Sequence, residues 1–410
     1  MNLLNPNSHT SESRDLTGPL VCFSHLRWDF VLQRPQHLMQ RFSQHRQVFF
    51  FEEYIPTDHH LAYLEIHPFS GTTVKSVRPR IPHWWSETDR QEALGHLLDE
   101  LLELHGGGKP IFWYYTPLMY AFSAHVDTAA VVYDCMDELA NFRFAPLQLK
   151  DAEMELMARA DMVFTGGVSL YEAKRHKHRN IHAFPSSVDI EHFRATRDGV
   201  AEPADQAGIK GRKLGYYGVI DERLDMQLVA AVAQARPDLS LIFLGPVVKI
   251  SQEDLPRAPN IHYLGLKSYA DLPAYLSGWD VALMPFALNE ATRFISPTKT
   301  PEYLASGRPV VSTRVIDVVR TYEDVKGVFL ASGVGDFVGA CDRAIALADG
   351  GTEWLRDVDA MLMRSSWDKT FNLMSDILAR SLIGSAGAPA RLFTHHAFAE
   401  DISSTATVRG

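Results

Sequence analysis

The stretch that decides the fold of this chain is residues 279–313, WDVALMPFALNEATRFISPTKTPEYLASGRPVVST. Asp280 to Pro285 is a short apolar run, which predicts a buried strand. A polar segment follows, and Pro297 to Ser306 then predicts a helix that Ser296 would cap. Pro309 to Ser312 predicts the next strand of a parallel sheet. The order strand, loop, helix, strand is typical of an α/β fold.

Two charged residues of the predicted helix indicate a ligand site. In a parallel α/β unit the loop after the first strand opens into the ligand crevice, and the N–H groups of the following helix attract anions. Lys299 falls in the first turn, where a cation opposes the helix dipole, and a bound phosphate would remove that conflict. Glu302 falls on nearly the same face. The alternative is an ordinary surface helix on which Lys299 and Glu302 form a solvated pair.

The same stretch resembles the C-terminal-domain signature S-P-x-K-x-x-E-Y-[LM]-A-x-G-x-P-V-V of bacterial GT-B glycosyltransferases of the large retaining family 4 type, such as those of teichuronic acid or exopolysaccharide biosynthesis. The matching residues are Ser296, Pro297, Lys299, Glu302, Tyr303, Leu304, Ala305, Gly307, Pro309, Val310 and Val311. The resemblance implies two Rossmann-like, doubly wound domains that face one cleft. It implies that Ser296, Thr298 and Lys299 contact a nucleotide-sugar donor and that Glu302 holds the ribose hydroxyls.

The composition is that of an ordinary globular protein. The 410 residues suggest two or three domains, and 46% of them are hydrophobic. The formal charge of −10 argues against a general nucleic-acid binder, which needs a basic surface. The three cysteines form no C-x-x-C pair, which fits a reducing cytoplasm. No apolar run approaches the length of a membrane span, so any membrane contact is expected to be peripheral.

The first half of the chain predicts a second ligand-facing edge. Leu20 to Ser24 predicts a strand, and the loop from His25 to Arg34 is rich in polar and aromatic residues; a loop packed on its own Trp28 is the alternative to a ligand site. The stretch 27–42, RWDFVLQRPQHLMQRF, resembles the opening of the same glycosyltransferase group. Asp134 and Asp137 end a later predicted strand and should face the same crevice as His25, and these three residues are the candidates for catalysis. A carboxylate there could orient an acceptor hydroxyl or act as a base, and helix capping explains it equally well.

Several short motifs predict turns and helix ends. GGGK at 106–109 follows a predicted helix and precedes a strand, so it is a turn and not a phosphate loop. Capping-box spacings start helices at Ser86 and at Ser169. The basic run 174–179 ends the second of these helices, either as a solvated cationic end or as a patch for a lipid-diphosphate acceptor at an anionic membrane.

The chain departs from the resembled family at two places. Val219 follows Gly218, and Asp225 stands where the family has a lysine, so Arg223 is the local cation that could reach the donor phosphates; pairing with Asp221 or Glu222 is the alternative. The family's paired glutamates have the spacing E-x7-E. Phe294 occupies the first position, and the donor-sugar contact of that glutamate is therefore in doubt.

These features predict a leader (1–19), an acceptor domain (20–193), a linker (194–211), a nucleotide-sugar domain (212–366), a crossover helix (367–383) and a mobile tail (384–410). The resemblance implies hexosyl transfer with retention from a nucleotide sugar, UDP-sugar above others, to a saccharide or lipid-diphosphate-linked acceptor, with no metal and no cofactor. We expect a cytoplasmic enzyme at the inner face of the membrane. The alternatives are a nucleotide-sugar 2-epimerase and a catalytically silent GT-B subunit.

Overall fold

The computed structural model of the protein describes residues 18–383. The predicted leader therefore falls almost wholly, and the predicted tail wholly, outside the described residues. The described chain forms two α/β units, each built on one sheet of mainly parallel strands. The predicted α/β class with two doubly wound sheets is confirmed.

The first unit contains the strands β1 (Leu20–Ser24), β2 (Val48–Glu52), β3 (Ile55–Thr57), β4 (Tyr63–Pro68), β5 (Val74–Pro82), β6 (Ile111–Tyr114), β7 (Ala130–Cys135), β8 (Met162–Thr165) and β9 (Ile181–Ala183). Its helices are α1 (Arg34–Phe42), α2 (Glu87–His105), α3 (Tyr120–Ser123), α4 (Leu149–Arg159) and α5 (Val168–Lys174), and the next helix, α6 (Ile190–Arg194), packs in the core of the second unit. The strand order is β3-β5-β2-β1-β6-β7-β8-β9, with β4 antiparallel to β5. The order reverses between β1 and β6, where a ligand crevice opens.

The second unit contains α7 (Ala204–Ala207), β10 (Arg212–Tyr217), α8 (Met226–Ala235), β11 (Leu239–Leu244), β12 (Ile261–Gly265), α9 (Leu272–Ser277), β13 (Val281–Met284), α10 (Lys299–Ala305), β14 (Val310–Thr313), α11 (Ile316–Tyr322), β15 (Val328–Ala331), α12 (Val334–Asp349) and α13 (Leu355–Leu362). Its strand order is β12-β11-β10-β13-β14-β15, all parallel. The order reverses between β10 and β13.

Trp279 shows how tightly the second sheet is packed. Its ring lies on β10 at Gly215, where a Cβ would come within 2.0 Å of the indole. The indole N–H donates to the side-chain oxygen of Gln206 at 2.9 Å. Gln206 belongs to the predicted linker, which therefore lies packed against the second sheet.

The last helix returns to the first unit. Helix α14 (Trp367–Ile383) follows α13 and packs on α1. Trp367 stacks on His37 with 4.6 Å between ring centroids, and Phe371 meets Phe42 edge-on at 4.8 Å. These contacts place the C-terminal helix in the core of the N-terminal unit, so the first unit contains chain from both ends of the described sequence.

The two predicted capping boxes have different outcomes. Ser86 caps α2 as predicted, and its side chain accepts the N–H of Asp89 at 3.2 Å. The prediction for Ser169 is wrong, because α5 begins at Val168 with Gly167 as its N-cap. The N–H of Ser169 donates to Asp317 of the second unit at 3.0 Å. A contact between the units replaces the local cap.

Candidate active site

A cavity of about 510 Å³ lies between the two units. Both units supply its walls, at the carboxyl ends of the strands where each sheet reverses its order. The cavity is lined by all of the predicted donor-binding residues: Gly218, Arg223, Ser296, Thr298, Lys299 and Glu302. Of the three predicted catalytic residues, Asp137 lines it, whereas His25 and Asp134 do not.

Glu302 lies in the first turn of α10 and is 6% exposed. Its carboxylate accepts a hydrogen bond of 2.5 Å from the hydroxyl of Tyr217, the last residue of β10. Burial raises the pKa of the Glu302 carboxyl, and the Tyr217 hydroxyl and the Lys299 charge oppose this rise. The strand that precedes Gly218 therefore orients the carboxylate, a role for Tyr217 that the sequence pattern did not reveal.

Lys299 is the first residue of α10, and its side chain passes over Gly218. A Cβ on Gly218 would lie 2.5 Å from Lys299 Cε, and Gly218 has a φ of +132°. Burial lowers the pKa of the Lys299 ammonium to about 8. The ammonium also lies 5.6 Å from the centroid of the Tyr216 ring. Glycine at 218 thus gives the half-buried Lys299 side chain its path into the cavity.

Arg223 pairs with Asp221, one of the two partners that the alternative interpretation of this cation names. Its guanidinium donates to both carboxylate oxygens of Asp221, at 2.9 Å from Nε and 2.7 Å from Nη2. Arg223 nevertheless lines the cavity, so Asp221 holds a cation that faces the ligand space. Asp225 caps α8 by accepting the N–H of Leu228 at 2.8 Å.

Asp137 is half-buried at the cavity wall. Burial raises the pKa of its carboxyl to about 6, against the opposing effects of the nearby Arg223, Arg34 and Lys299 charges. The carboxylate therefore belongs to the same electrostatic cluster as the two donor-side cations, although it comes from the first unit.

The prediction that Asp134 faces the crevice is wrong. Asp134 is fully buried, and its carboxylate accepts from Arg34 Nη2 at 2.8 Å and from Nε at 3.1 Å. Arg34 itself lines the cavity and also donates to the carbonyl of Phe184 at 2.7 Å. Asp134 therefore fixes an arginine at the wall, a pairing across 100 residues that the sequence does not reveal.

His25 is also displaced from its predicted place. It is half-buried, and it does not line the cavity. Burial, with a smaller effect of the Lys249 charge, lowers the pKa of His25 to about 4. The imidazole is therefore neutral at physiological pH.

Ser296 does not cap α10, which corrects a further prediction. The helix begins at Lys299 with Thr298 as its N-cap, and Thr298 makes no side-chain capping bond. The carbonyl of Ser296 accepts from the Ser186 hydroxyl of the first unit, and its own hydroxyl accepts the Ser186 N–H at 3.4 Å. Ser296 therefore joins the two walls of the cavity.

The first position of the E-x7-E pair has no carboxylate. Phe294 stands there and packs against the core of the first unit. Glu290 is exposed, and it pairs with Arg293 at 3.5 Å outside the cavity lining. An apolar contact between the units thus replaces the acidic group.

The basic run at the end of α5 is only partly solvated. Lys174 is buried and pairs with Glu153 at 2.6 Å and with Glu138 at 2.7 Å. Arg175, His176 and Lys177 are exposed. The interpretation of the whole run as a solvated end is therefore wrong for its first residue.

Two further kinds of feature, a metal site and a membrane-spanning helix, are absent from residues 18–383. Among residues 18–383, no group of three or more His, Cys, Asp or Glu side chains is arranged to hold a metal ion. Within the same range no helix combines the length and apolar character that crossing a bilayer requires.

The chain is similar to known proteins both in sequence and in fold. Residues 212–347 match the family model of the glycosyl transferases group 1. The chain is 26% identical over 304 residues to TuaH of Bacillus subtilis (strain 168), named as a teichuronic acid biosynthesis glycosyltransferase, a match that covers 68% of this chain and 74% of that protein.

Solved structures share the fold at low identity. The Anabaena protein Alr3699/HepE, in complex with UDP and glucose, has a TM-score of 0.65 at 13% identity over 88% of this chain and 99% of that one. The UDP-forming trehalose-phosphate synthase of Burkholderia xenovorans has a TM-score of 0.62 at 13% identity, over 90% and 99%. Sucrose-phosphate synthase of Thermosynechococcus elongatus has a TM-score of 0.63 at 13% identity, over 88% and 98%.

These likenesses establish the GT-B fold, with two Rossmann-like units that face one cleft. The family match lies on the unit that carries Glu302, Lys299 and Arg223. The chain is therefore a glycosyltransferase whose second unit matches the glycosyl transferases group 1 over residues 212–347, and it is related to a teichuronic acid glycosyltransferase.

Proposed function

We propose that the protein transfers a hexosyl group from a UDP-sugar to a saccharide or lipid-diphosphate-linked acceptor in the assembly of a cell-surface polysaccharide, with retention of anomeric configuration. The observation that carries the proposal is the meeting of Glu302, Lys299 and Arg223 in one cavity between two Rossmann-like sheets. A nucleotide sugar presents a cis-diol and a diphosphate, which these three groups complement. The complex of Alr3699/HepE with UDP and glucose supports UDP as the nucleotide.

Each donor-side group has a distinct task in this proposal. The Glu302 carboxylate, oriented by Tyr217, accepts hydrogen bonds from the ribose hydroxyls. Lys299 and Arg223 bind the diphosphate, and Ser296 and Thr298 line the space beside it. Burial makes these charges more effective, because the field of a cation is screened less than in water.

The transfer breaks the bond between sugar C1 and the β-phosphate oxygen and forms a bond from C1 to the acceptor oxygen on the same face. The acceptor proton passes to the leaving phosphate oxygen, so the donor itself supplies the base. Negative charge grows on the diphosphate during this step, and Lys299 and Arg223 stabilise it. No metal ion takes part in the proposed step.

The acceptor side belongs to the first unit. Asp137 would orient the acceptor hydroxyl. Arg34, which is held by Asp134, would keep the first unit's wall of the cavity in place. His25, neutral and outside the cavity lining, has no proton-transfer role in this proposal. The similarity to a teichuronic acid glycosyltransferase favours a cell-surface saccharide as the acceptor. In this proposal the transfer takes place in the cytoplasm, at the inner face of the cell membrane.

The test is acceptor-dependent release of nucleoside diphosphate. Purified protein would be incubated with UDP-glucose, UDP-galactose and their N-acetyl derivatives, with and without cell-wall oligosaccharides and lipid-linked sugars. We expect UDP release with one donor only when a suitable acceptor is present, and an α-linked product from an α-linked donor by NMR. Conversion of a UDP-sugar without acceptor would indicate an epimerase instead. Tight UDP-sugar binding with no turnover against any acceptor would indicate a silent subunit.

A further inference from the structure

The segment that follows β7 leaves the first unit and lies against the second. We call residues 138–148 the bridging segment. The side chain of Asn141 donates to the carbonyl of Glu290 at 3.1 Å. The N–H of Arg143 donates to the carboxylate of Glu222 at 3.3 Å. Both acceptors belong to the second unit, so the bridging segment connects the units beside the cavity.

Phe142 stands between these two hydrogen bonds, and two cations of the second unit contact its ring. The guanidinium carbon of Arg223 lies 5.7 Å from the ring centroid, and the ammonium of Lys249 lies 5.1 Å from it. Both distances are within the range of about 6 Å at which a cation is attracted to an aromatic face. One aromatic ring of the acceptor-side unit therefore contacts two cations of the donor-side unit.

The two cations differ in how the second unit holds them. Arg223 is fixed on one side by Asp221 and lines the cavity. Lys249 is exposed, has a left-handed φ of 64°, and follows the cavity-lining residues Gly245 and Pro246 by a few positions. That backbone conformation is unfavourable in a residue with a side chain, so neighbouring contacts must hold it.

We propose that Phe142 is a positioning residue of the donor site, whose ring holds the Arg223 guanidinium and the Lys249 ammonium toward the diphosphate of the nucleotide sugar. This inference rests on the proposed function. It gives Lys249, an exposed residue outside the cavity lining, a part in binding the diphosphate, and it makes that end of the donor site depend on a side chain of the acceptor-side unit. The nucleoside end, where the Tyr217 hydroxyl donates to Glu302, should not depend on Phe142.

The experiment compares the binding of UDP with that of uridine by isothermal titration calorimetry. Phe142→Leu keeps the apolar bulk and removes the aromatic face. We expect it to weaken UDP binding about five-fold, the equivalent of about 1 kcal/mol, and to leave uridine binding unchanged. Phe142→Tyr keeps an aromatic ring and should bind UDP with the affinity of the wild type. Phe144→Leu is the matched control, because Phe144 is on the same segment but 81% exposed, and it should change neither affinity.

A double-mutant cycle tests the link to Lys249. Lys249→Met should also weaken UDP binding and not uridine binding, and its effect should shrink in the Phe142→Leu background, because the two residues share one contact. If Phe142→Leu does not fold, Phe142→Met takes its place in the cycle.

Two outcomes would overturn the inference alone. One is that Phe142→Leu leaves UDP affinity unchanged while the wild type binds UDP, and the other is that it weakens UDP and uridine equally. In either case the proposed transferase keeps its donor site. If the wild type binds neither UDP nor GDP, ADP or dTDP, the proposed function fails and this inference fails with it.

Discussion

At the scale of single residues, the site depends on shifted pKa values that have one physical cause. Burial raises the pKa of Asp137 to about 6 and lowers that of Lys299 to about 8. Burial disfavours the charged form of either group, so the two pKa values move toward each other. Asp137 is charged above about pH 6 and Lys299 is charged below about pH 8. Both charges are therefore present together only between these two pH values, and the proposed reaction needs both.

The first prediction is a bell-shaped dependence of kcat/KM on pH. Below about pH 6 Asp137 is protonated and loses its ability to accept the acceptor hydroxyl; above about pH 8 Lys299 loses the charge that stabilises the diphosphate. Asp137→Asn should remove the acidic limb, and Lys299→Arg should move the basic limb to higher pH. A flat profile from pH 5 to 9 would contradict both assignments.

The second prediction concerns Lys299→Met. We expect kcat to fall about 100-fold or more, because a preorganised charge at the leaving group is lost. The melting temperature should change little, since the substitution also removes a partly desolvated charge. Lys326→Met is the control, because this lysine is 70% exposed on the same unit. Equal losses of activity and of stability in Lys299→Met would show a structural role instead.

At the scale of elements, α14 couples the two ends of the chain. It follows the last helix of the second unit, yet Trp367, Phe371, Met374, Leu378 and Leu382 are buried in the core of the first. The stability of the acceptor-side unit therefore depends on a helix that begins at Trp367, far beyond Ala183, where the last strand of that unit ends.

The third prediction tests this coupling. Phe371 is 8% exposed and packs on Phe42, so Phe371→Ala should destabilise the first unit by about 3–5 kcal/mol. Leu373→Ala on the same helix, where the side chain is 42% exposed, should change stability by no more than about 0.5 kcal/mol. Urea denaturation followed by tryptophan fluorescence measures both. Similar midpoints for the two variants would contradict the packing role of α14.

Elements also show how far the sequence could predict this molecule. The strands, the Ser86 cap and the grouping of Lys299 with Glu302 depend on neighbours within a few residues, and the pattern contains that information. The partners of Ser296 and Ser169 lie on the opposite unit, 110 and 148 residues away. Local spacing predicted helix caps there, and tertiary contacts replaced them.

The same limit applies to the acceptor side of the site. The position of Asp134 near a strand end predicts a carboxylate in the crevice. In the structure Arg34, 100 residues away in sequence, donates hydrogen bonds to this carboxylate. The direction of one side chain at a strand end cannot be read from its neighbours in sequence. Asp137, three residues later, is the carboxylate that reaches the cavity.

At the scale of the whole molecule, the cleft is closed by contacts between the units. Asp317 of the second unit accepts the N–H of Ser169, and Arg320 pairs with Glu172 at 2.9 Å. Gly167 lies beneath Asp317, where a Cβ would come within 2.1 Å of its carboxylate and 3.0 Å of Ser296. Closure therefore requires the absence of a side chain at position 167.

The fourth prediction concerns this close approach. Gly167→Ala should hold the units apart and lower kcat about ten-fold. It should weaken UDP binding by no more than about five-fold, the effect expected of Phe142→Leu. Small-angle X-ray scattering should show a larger radius of gyration than for the wild type. Gly208→Ala is the control, because nothing lies within 4 Å of a Cβ there. An unchanged radius together with unchanged kcat would disprove the role of Gly167.

The central claim is that the second unit binds a nucleotide sugar through Glu302, and a thermal-shift panel of UDP-, GDP-, ADP- and dTDP-sugars against the wild type and Glu302→Ala tests it most directly. A ligand at 100 times its Kd should stabilise the folded protein by about 2.7 kcal/mol, a shift of a few degrees for units of this size. We predict that UDP-sugars raise the melting temperature of the wild type and that Glu302→Ala loses most of that rise. If no nucleotide sugar stabilises the wild type, or if Glu302→Ala responds as the wild type does, the assignment of the donor site is wrong.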